Sequence, residues 1–303
     1  MIARIISLVE NDSEDSVRLL SEIYKHTGAA YRIGITGPPG AGKSTIVNKL
    51  ARWYRAQNKR VGVIAVDPTS PFTGGAMLGD RVRMTDVELD GEVFIRSMAS
   101  RGSLGGLSRK AGEAADVLDA SGAEIILIET VGVGQSELDI AGSADTTIVV
   151  LVPESGDGIQ AMKAGLMEIA DFFVLNKSDR PGADQAVMSV KMILGFRPHD
   201  EKTWLPDVVK CTASEGAGIE EVGRFISKHR AFLEKTGQLA QRRRMRIQER
   251  VEQIVHDHLK IEFWSEVRKA ELQHALELIM RREQTPYEAA NELLKSVQAF
   301  RNL

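Results

Sequence analysis

The chain has 303 residues, room for one α/β domain of ordinary size plus an extension. Its 43% hydrophobic content supports a sizeable core, and a formal charge of −3 argues against any general attraction to nucleic acid or anionic membranes. The only cysteine, Cys211, excludes an internal disulfide and any multi-cysteine metal site, and it fits a reducing cytoplasm.

In chain order, residues 1–30 read as a helical lead-in. Val17, Leu20, Ile23 and Tyr24 recur at helical spacing, and Gly28 supplies a stop. Acidic Glu10, Asp12, Glu14 and Asp15 break the start, which suits neither a secretory signal nor a transit peptide, and no apolar run reaches membrane-spanning length. The expected setting is cytoplasmic, with neither membrane nor nucleic acid as partner. From Tyr31 short β-branched runs alternate with longer amphipathic segments, and strands are predicted at 32–36, 61–66, 92–95, 124–129, 146–152, 171–175 and 207–211. Continuous apolar runs of this length suit parallel strands covered on both faces. After about residue 228 strand signals stop. A basic run, Arg242, Arg243, Arg244 and Arg246, leads into Val251, Ile254, Val255 and Leu259 at helical spacing; Val267, Ala270, Leu272, Leu276 and Ile279 predict another helix. Thr285-Pro286-Tyr287-Glu288 reads as a capping box with proline at the first helical position, opening a last helix through Leu293, Leu294 and Val297.

One stretch organises the rest. Gly37-Pro38-Pro39-Gly40-Ala41-Gly42-Lys43-Ser44-Thr45 fits G-x-x-x-x-G-K-[ST] between an apolar strand run and a helical run containing Ile46, Val47 and Leu50. Glycines let the backbone wrap closely enough for several N–H groups to face phosphate oxygens, and the helix start adds the positive end of its dipole. Gly37, Gly40, Ala41, Gly42, Lys43, Ser44 and Thr45 are therefore the candidate phosphate-binding residues. Lys43 is expected to reach the β- and γ-phosphates and the Ser44 hydroxyl to ligate Mg²⁺. The predicted fold is an α/β P-loop NTPase with a mostly parallel central sheet flanked by helices. Its domain spans 31–230, between the lead-in and a helical extension at 231–303.

Asn176-Lys177-Ser178-Asp179 follows the apolar run 172–175. A carboxylate at Asp179 can accept from N1–H and the N2 amino group of guanine, a pair of donors that adenine lacks. Asn176 and the stem of Lys177 would brace the loop and cover the base. Thr212-Ala213-Ser214, after the last strand run, takes the place of a second guanine loop whose N–H groups meet the base O6.

Glu129-Thr130-Val131-Gly132 ends another strand run, where an acid can hold Mg²⁺ through its water shell and Gly132 can offer its N–H to the γ-phosphate. Lys43, Glu129 and Gly132 are the candidate catalytic residues. Small GTPases of this mechanism orient water with a glutamine; here Val133 follows Gly132 and cannot polarise water, so unaided hydrolysis is expected to be slow. Asp67, closing a strand run, and Asp80, in a Gly-rich segment, complete the candidate metal set with Ser44 and Glu129.

Together the phosphate loop, Asp67-Pro68-Thr69-Ser70, Gly74-Gly75-Ala76-Met77-Leu78-Gly79-Asp80-Arg81, Glu129 to Glu137, and Gly156-Asp157-Gly158-Ile159-Gln160 with Lys163-Ala164-Gly165 resemble the P-loop GTPases of the MeaB/ArgK/MMAA group. The resemblance runs from about Tyr31 to Gly218 and more loosely to the C-terminus. It implies a GTPase chaperone of an adenosylcobalamin-dependent acyl-CoA mutase such as methylmalonyl-CoA mutase, gating cofactor loading and protecting the mutase from inactivation. It further implies that Asp67, Asp80 and Glu129 are acidic Mg²⁺ and switch residues. Gln160 and Lys163 would belong to a third switch, and the C-terminal helices would make a homodimer.

Three other readings compete with this one. A metallocentre-assembly GTPase inserting nickel needs Cys/His sites, and the chain has one Cys and six scattered His. An ATPase or kinase linked to basic amino-acid transport, as the ArgK name suggests, needs adenine selectivity that Asp179 opposes. A nucleic-acid patch at the C-terminal arginines competes with a solvated or dimer face, the commoner use of such a run.

Overall fold

The computed structural model describes residues 1–11, 13–68, 90–100, 106–130, 136–153, 165–196, 200 and 203–300. Seven strands make one sheet: β1 (Tyr31–Thr36), β2 (Val61–Pro68), β3 (Val93–Ser100), β4 (Ile125–Thr130), β5 (Thr146–Leu151), β6 (Phe172–Leu175) and β7 (Val208–Lys210). Their order is β3-β2-β4-β1-β5-β6-β7, and every pairing is parallel. All seven predicted runs are strands. β3 extends to Ser100, past the predicted end at 95. It is an edge strand, and polar Arg96 is accommodated there by Ser7 and Glu10 of the first helix. The chain builds β2 and β3 to one side of β1 and β5 to β7 to the other. The crevice beyond the carboxyl end of β1 is therefore the topological switch point, where sheets of this kind bind ligands.

Helices cover both faces. On one, α3 (Lys43–Arg55) contributes Ile46, Val47 and Leu50, and α7 (Ile219–Thr236) contributes Val222 and Ile226, packed over Ile33, Ile35, Leu127 and Val150. On the other, α1 (Ile2–Glu10) and α4 (Gly106–Ala120) meet Ile64, Ile126 and Ile128, joined by Ile140 of α5 (Ser136–Ser143). On α6 (Ala183–Leu194), Val190 and Leu194 pack with Phe173 and Leu175.

The lead-in is helical, as its spacing predicts. Leu20 and Ile23 of α2 (Glu14–Ile23) pack on the core, but Val17 and Tyr24 are exposed. The stronger anchor is α1, whose Ile2, Ile5, Ile6 and Val9 follow the i, i+3, i+4, i+7 pattern. Ile6 and Val9 are fully buried, each contributing roughly 1.5–3 kcal/mol of hydrophobic stabilisation. Asp119 of α4 then fixes the approach to β1 by accepting from the N–H groups of Gly28 (2.7 Å) and Ala30 (3.0 Å).

By contact the chain divides into Met1–Arg243 and Arg244–Leu303. Helix α8 (Gln238–Phe263) begins in the first unit, where two arginines of the basic run are engaged at the amino ends of the strands. Arg242 makes a two-pronged pair with Asp171 (2.7 and 2.9 Å), just before β6. Arg243 pairs with Asp145 (2.9 Å), just before β5, and donates to the carbonyls of Gly28 and Ala30. Half of the basic run is thus engaged in ion pairs at the floor of the sheet. The second unit contains the rest of α8, α9 (Glu266–Met280) and α10 (Pro286–Phe300). The Thr285 hydroxyl accepts from the N–H of Glu288 (3.2 Å) and the Glu288 carboxylate accepts from the N–H of Thr285 (2.8 Å), a complete capping box. No helix among the described residues is long and apolar enough to cross a membrane.

Candidate functional site

The phosphate loop leaves β1 after Thr36 and enters α3 at Lys43, so strand, loop and helix follow in the order phosphate binding requires. Lys43 is buried, and its ammonium donates to the carbonyls of Gly37 (2.8 Å) and Pro38 (2.9 Å), holding the charge inside the curve of the loop. Ala41 is buried, whereas Gly40 and Thr45 are exposed. The Ser44 hydroxyl donates to Glu129 Oε1 at 2.6 Å. Glu129 stands opposite Ile35 on β1 and Ala65 on β2, which puts an acid at the sheet's carboxyl edge beside the first turn of α3.

The base loop is joined to the phosphate loop by two side chains. Asn176 Nδ2 donates to the Ala41 carbonyl (2.8 Å) and its Oδ1 accepts from the N–H of Ala213 (3.0 Å), so one buried amide ties three segments. Gly42 is what permits this approach. A Cβ there would lie 2.2 Å from Asn176 Nδ2, and φ of +88° independently favours glycine. Lys177, itself in the left-handed region at φ 57°, donates to the Gly40 carbonyl at 2.9 Å. Its aliphatic stem spans from one loop to the other.

Asp179 is exposed, with Thr212 Oγ1 3.3 Å from its carboxylate, and the Ser178 and Thr212 hydroxyls are also 3.3 Å apart. Ser214 is exposed beside buried Ala213. Below this loop Cys211 is buried, and burial pushes its thiol up to about 12, so it stays protonated and inert.

The structure thus gathers Lys43, Ser44 and Glu129 with the loop glycines, and links them through Asn176 and Lys177 to Asp179, Thr212 and Ala213. Asp67 lies in β2 level with Ala99, two residues past the partner of Glu129. Asp80, Gly132, Gln160 and Lys163 fall outside the described residues. Sequence reasoning missed the engagement of Arg242 and Arg243, because nothing in the local pattern separates them from Arg244 and Arg246.

The arrangement has donors suited to a phosphate chain and a carboxylate suited to a base edge. The family model described as methylmalonyl Co-A mutase-associated GTPase MeaB matches residues 2–268. A Pyrococcus abyssi protein described as a GTPase is 48% identical over 97% of this chain and 92% of its own. GTPase ArgK of Escherichia coli is 38% identical over 80% of this chain and 76% of its own. The crystal structure of an LAO/AO transport system kinase superposes with a TM-score of 0.73 at 29% identity, covering 98% of this chain and 92% of that one.

Proposed function

The chain belongs to the MeaB family of P-loop GTPases, and on that premise we propose that it is a Mg²⁺-dependent switch and chaperone for an adenosylcobalamin-dependent acyl-CoA mutase. Its proposed role is to gate loading of the cofactor and protect the mutase from inactivation. The observation that carries the GTPase half is the joining of phosphate loop and base loop through Asn176. The mutase half rests on the family description.

The loop N–H groups and Lys43 hold the β- and γ-phosphates, and they stabilise the charge that develops as water attacks in line. Asp179 accepts from the guanine N1–H and N2 amino group, while Lys177 covers the base. Adjoining Ser44 hydroxyl and Glu129 carboxylate form an all-oxygen donor set, the chemistry Mg²⁺ prefers, and Asp67 and Asp80 are the further proposed acids. Bound there, Mg²⁺ supplies charge neutralisation on the phosphate oxygens. Gly132 donates its N–H to the γ-phosphate, and Gln160 and Lys163 sense nucleotide and partner. Because Val133 offers no polar group, the partner completes or orders the water-positioning arrangement.

The proposed organisation is a lead-in at 1–30, a GTPase domain at 31–230 and a dimerisation arm at 231–303. An exposed apolar stripe on α8, namely Ile247, Val251, Val255 and Leu259, favours self-association of the arm. Measuring GTP hydrolysis with and without a purified cobalamin-dependent acyl-CoA mutase tests the reading. Strong acceleration is expected. Turnover indifferent to every such mutase would leave a GTPase with a different client.

A further inference from the structure

Strands β1 and β4 both end in threonine, and the two side chains meet. Thr130 Oγ1 donates to Thr36 Oγ1 at 3.0 Å, and both residues are buried, at 2% and 0% exposure. The pairing of β1 with β4 runs through Ile35 opposite Glu129, so Thr36 and Thr130 are the next rung. Beyond it one chain enters the phosphate loop and the other leaves into residues 131–135.

Alternation along the strands puts this rung on the opposite face from Glu129. Ile35 packs with Ile46 and Val47 of α3, whereas Ile126 and Ile128, of the same parity as Thr130, pack with α4 and α5. Gly34, of the same parity as Thr36, faces Ile140 and Ala144. Hydrogen bonds on both faces therefore tie the phosphate-loop side to the β4 exit, among them Ser44 to Glu129 on one and Thr36 to Thr130 on the other. They stand differently toward a metal. A divalent cation ligated by Ser44 would take a lone pair of the hydroxyl oxygen whose proton goes to Glu129, so that tie lies at the metal's own ligand. The threonine pair faces away from Glu129 and would take no part in holding the cation.

We propose that Thr36 and Thr130 are positioning residues for the GTPase reaction. Their hydroxyl pair holds the ends of β1 and β4 in register, so that Ser44 and Glu129 keep the spacing that holding a divalent cation would require. Valine in either place would fill the same volume and suit a strand well, so the hydroxyls are what distinguish this rung from the Gly34–Ile128 rung beneath it on the same face. The inference rests on the Mg²⁺-dependent reading above.

The test compares Thr36→Val, Thr130→Val, the double variant and Thr130→Ser in the full chain. Each single valine strands one buried hydroxyl, whereas the double replaces both partners with apolar isosteres and should recover stability. Three readouts are taken: melting temperature, GDP affinity in chelator against affinity with Mg²⁺, and single-turnover GTP hydrolysis. For the double variant we expect a melting temperature within about 3 °C of wild type and unchanged GDP affinity in chelator. The tightening on adding Mg²⁺, and the hydrolysis rate, should both fall by about tenfold or more. Thr130→Ser should keep both.

A double variant with wild-type Mg²⁺ linkage and rate would show that the rung only packs, and would overturn the proposal. Should the double variant not fold, the single exchanges at Thr130 decide: a valine variant that keeps Mg²⁺ linkage while the serine variant loses it has the same overturning force. A wild-type protein whose GDP affinity ignores Mg²⁺ would overturn the metal reading itself, and the inference with it.

Discussion

The Ser44 hydroxyl lies 2.6 Å from Glu129 Oε1, joining the first turn of α3 to the end of β4. The contact uses only one lone pair of a carboxylate, so an amide could preserve it while removing the charge. Glu129→Gln is therefore expected to leave the fold and Mg²⁺-free GDP binding intact. The rate of GTP hydrolysis should fall by on the order of 10²-fold, the scale for losing one preorganised electrostatic group. Phosphate release under single-turnover conditions would measure it. An unaltered rate would remove Glu129 from the metal site.

Asp179 offers its carboxylate at the edge of the base loop, with Thr212 as its neighbour. Asp179→Asn would put an NH₂ against the guanine N2 amino group and should weaken GTP binding by roughly 10–100-fold, the equivalent of about 1–3 kcal/mol. Xanthosine triphosphate presents N1–H and O2 instead, which suits an amide, so its affinity should rise. Competition titrations with both nucleotides check the exchange. Equal affinities in variant and parent would place the base elsewhere.

Most of this architecture could be read from the chain because its signals are local. Short apolar runs such as 125–128 and 172–175, bounded by polar residues, suit strands covered on both faces, and the structure makes them so. The phosphate loop carries its glycines, lysine and serine within one contiguous stretch. What escaped depends on contacts between distant segments. Arg242 and Arg243 look like any surface arginines until Asp171 and Asp145 meet them. The rung of Thr36 and Thr130 joins residues 94 positions apart. Val17 lies on a helix, as its spacing predicts, yet is exposed, while Ile6 and Val9 of α1 are buried in the core.

His229 supplies a pH dependence at the floor of the sheet. It is fully buried, with Nδ1 2.8 Å from Thr146 Oγ1 and Nε2 3.3 Å from Asp171. Burial pushes its pKa down to about 4, overriding the opposite pull of Asp171. Between the unfolded value of about 6.5 and this lowered one, the unfolded chain binds a proton that the folded chain refuses. The stabilisation is complete above the unfolded value and is lost as pH falls toward 4. Urea unfolding at about pH 7 and about pH 4.5 should show His229→Gln losing less stability than wild type, by roughly 2 kcal/mol. Identical losses would mean that other groups govern the acid limb.

Among its described residues the second unit buries few apolar side chains. Ala275, Ala289 and Leu293 are buried, while Val251, Val255 and Leu259 on α8 are each about half exposed. These three recur one turn apart along a single helix face, the pattern of a seam that meets another helix. If a second copy covers that seam, two valines would leave water on association, and charges there would oppose it. Burying each valine contributes roughly 1.5 kcal/mol or more, so Val251→Glu with Val255→Glu should raise the dimer dissociation constant by about 10²-fold or more. Sedimentation across a concentration series would detect the change. Hydrolysis without a partner should stay within about twofold, because the phosphate and base residues all lie in the first unit. A variant that remains dimeric would move the interface away from α8, and a monomeric wild type would leave the stripe to a different protein.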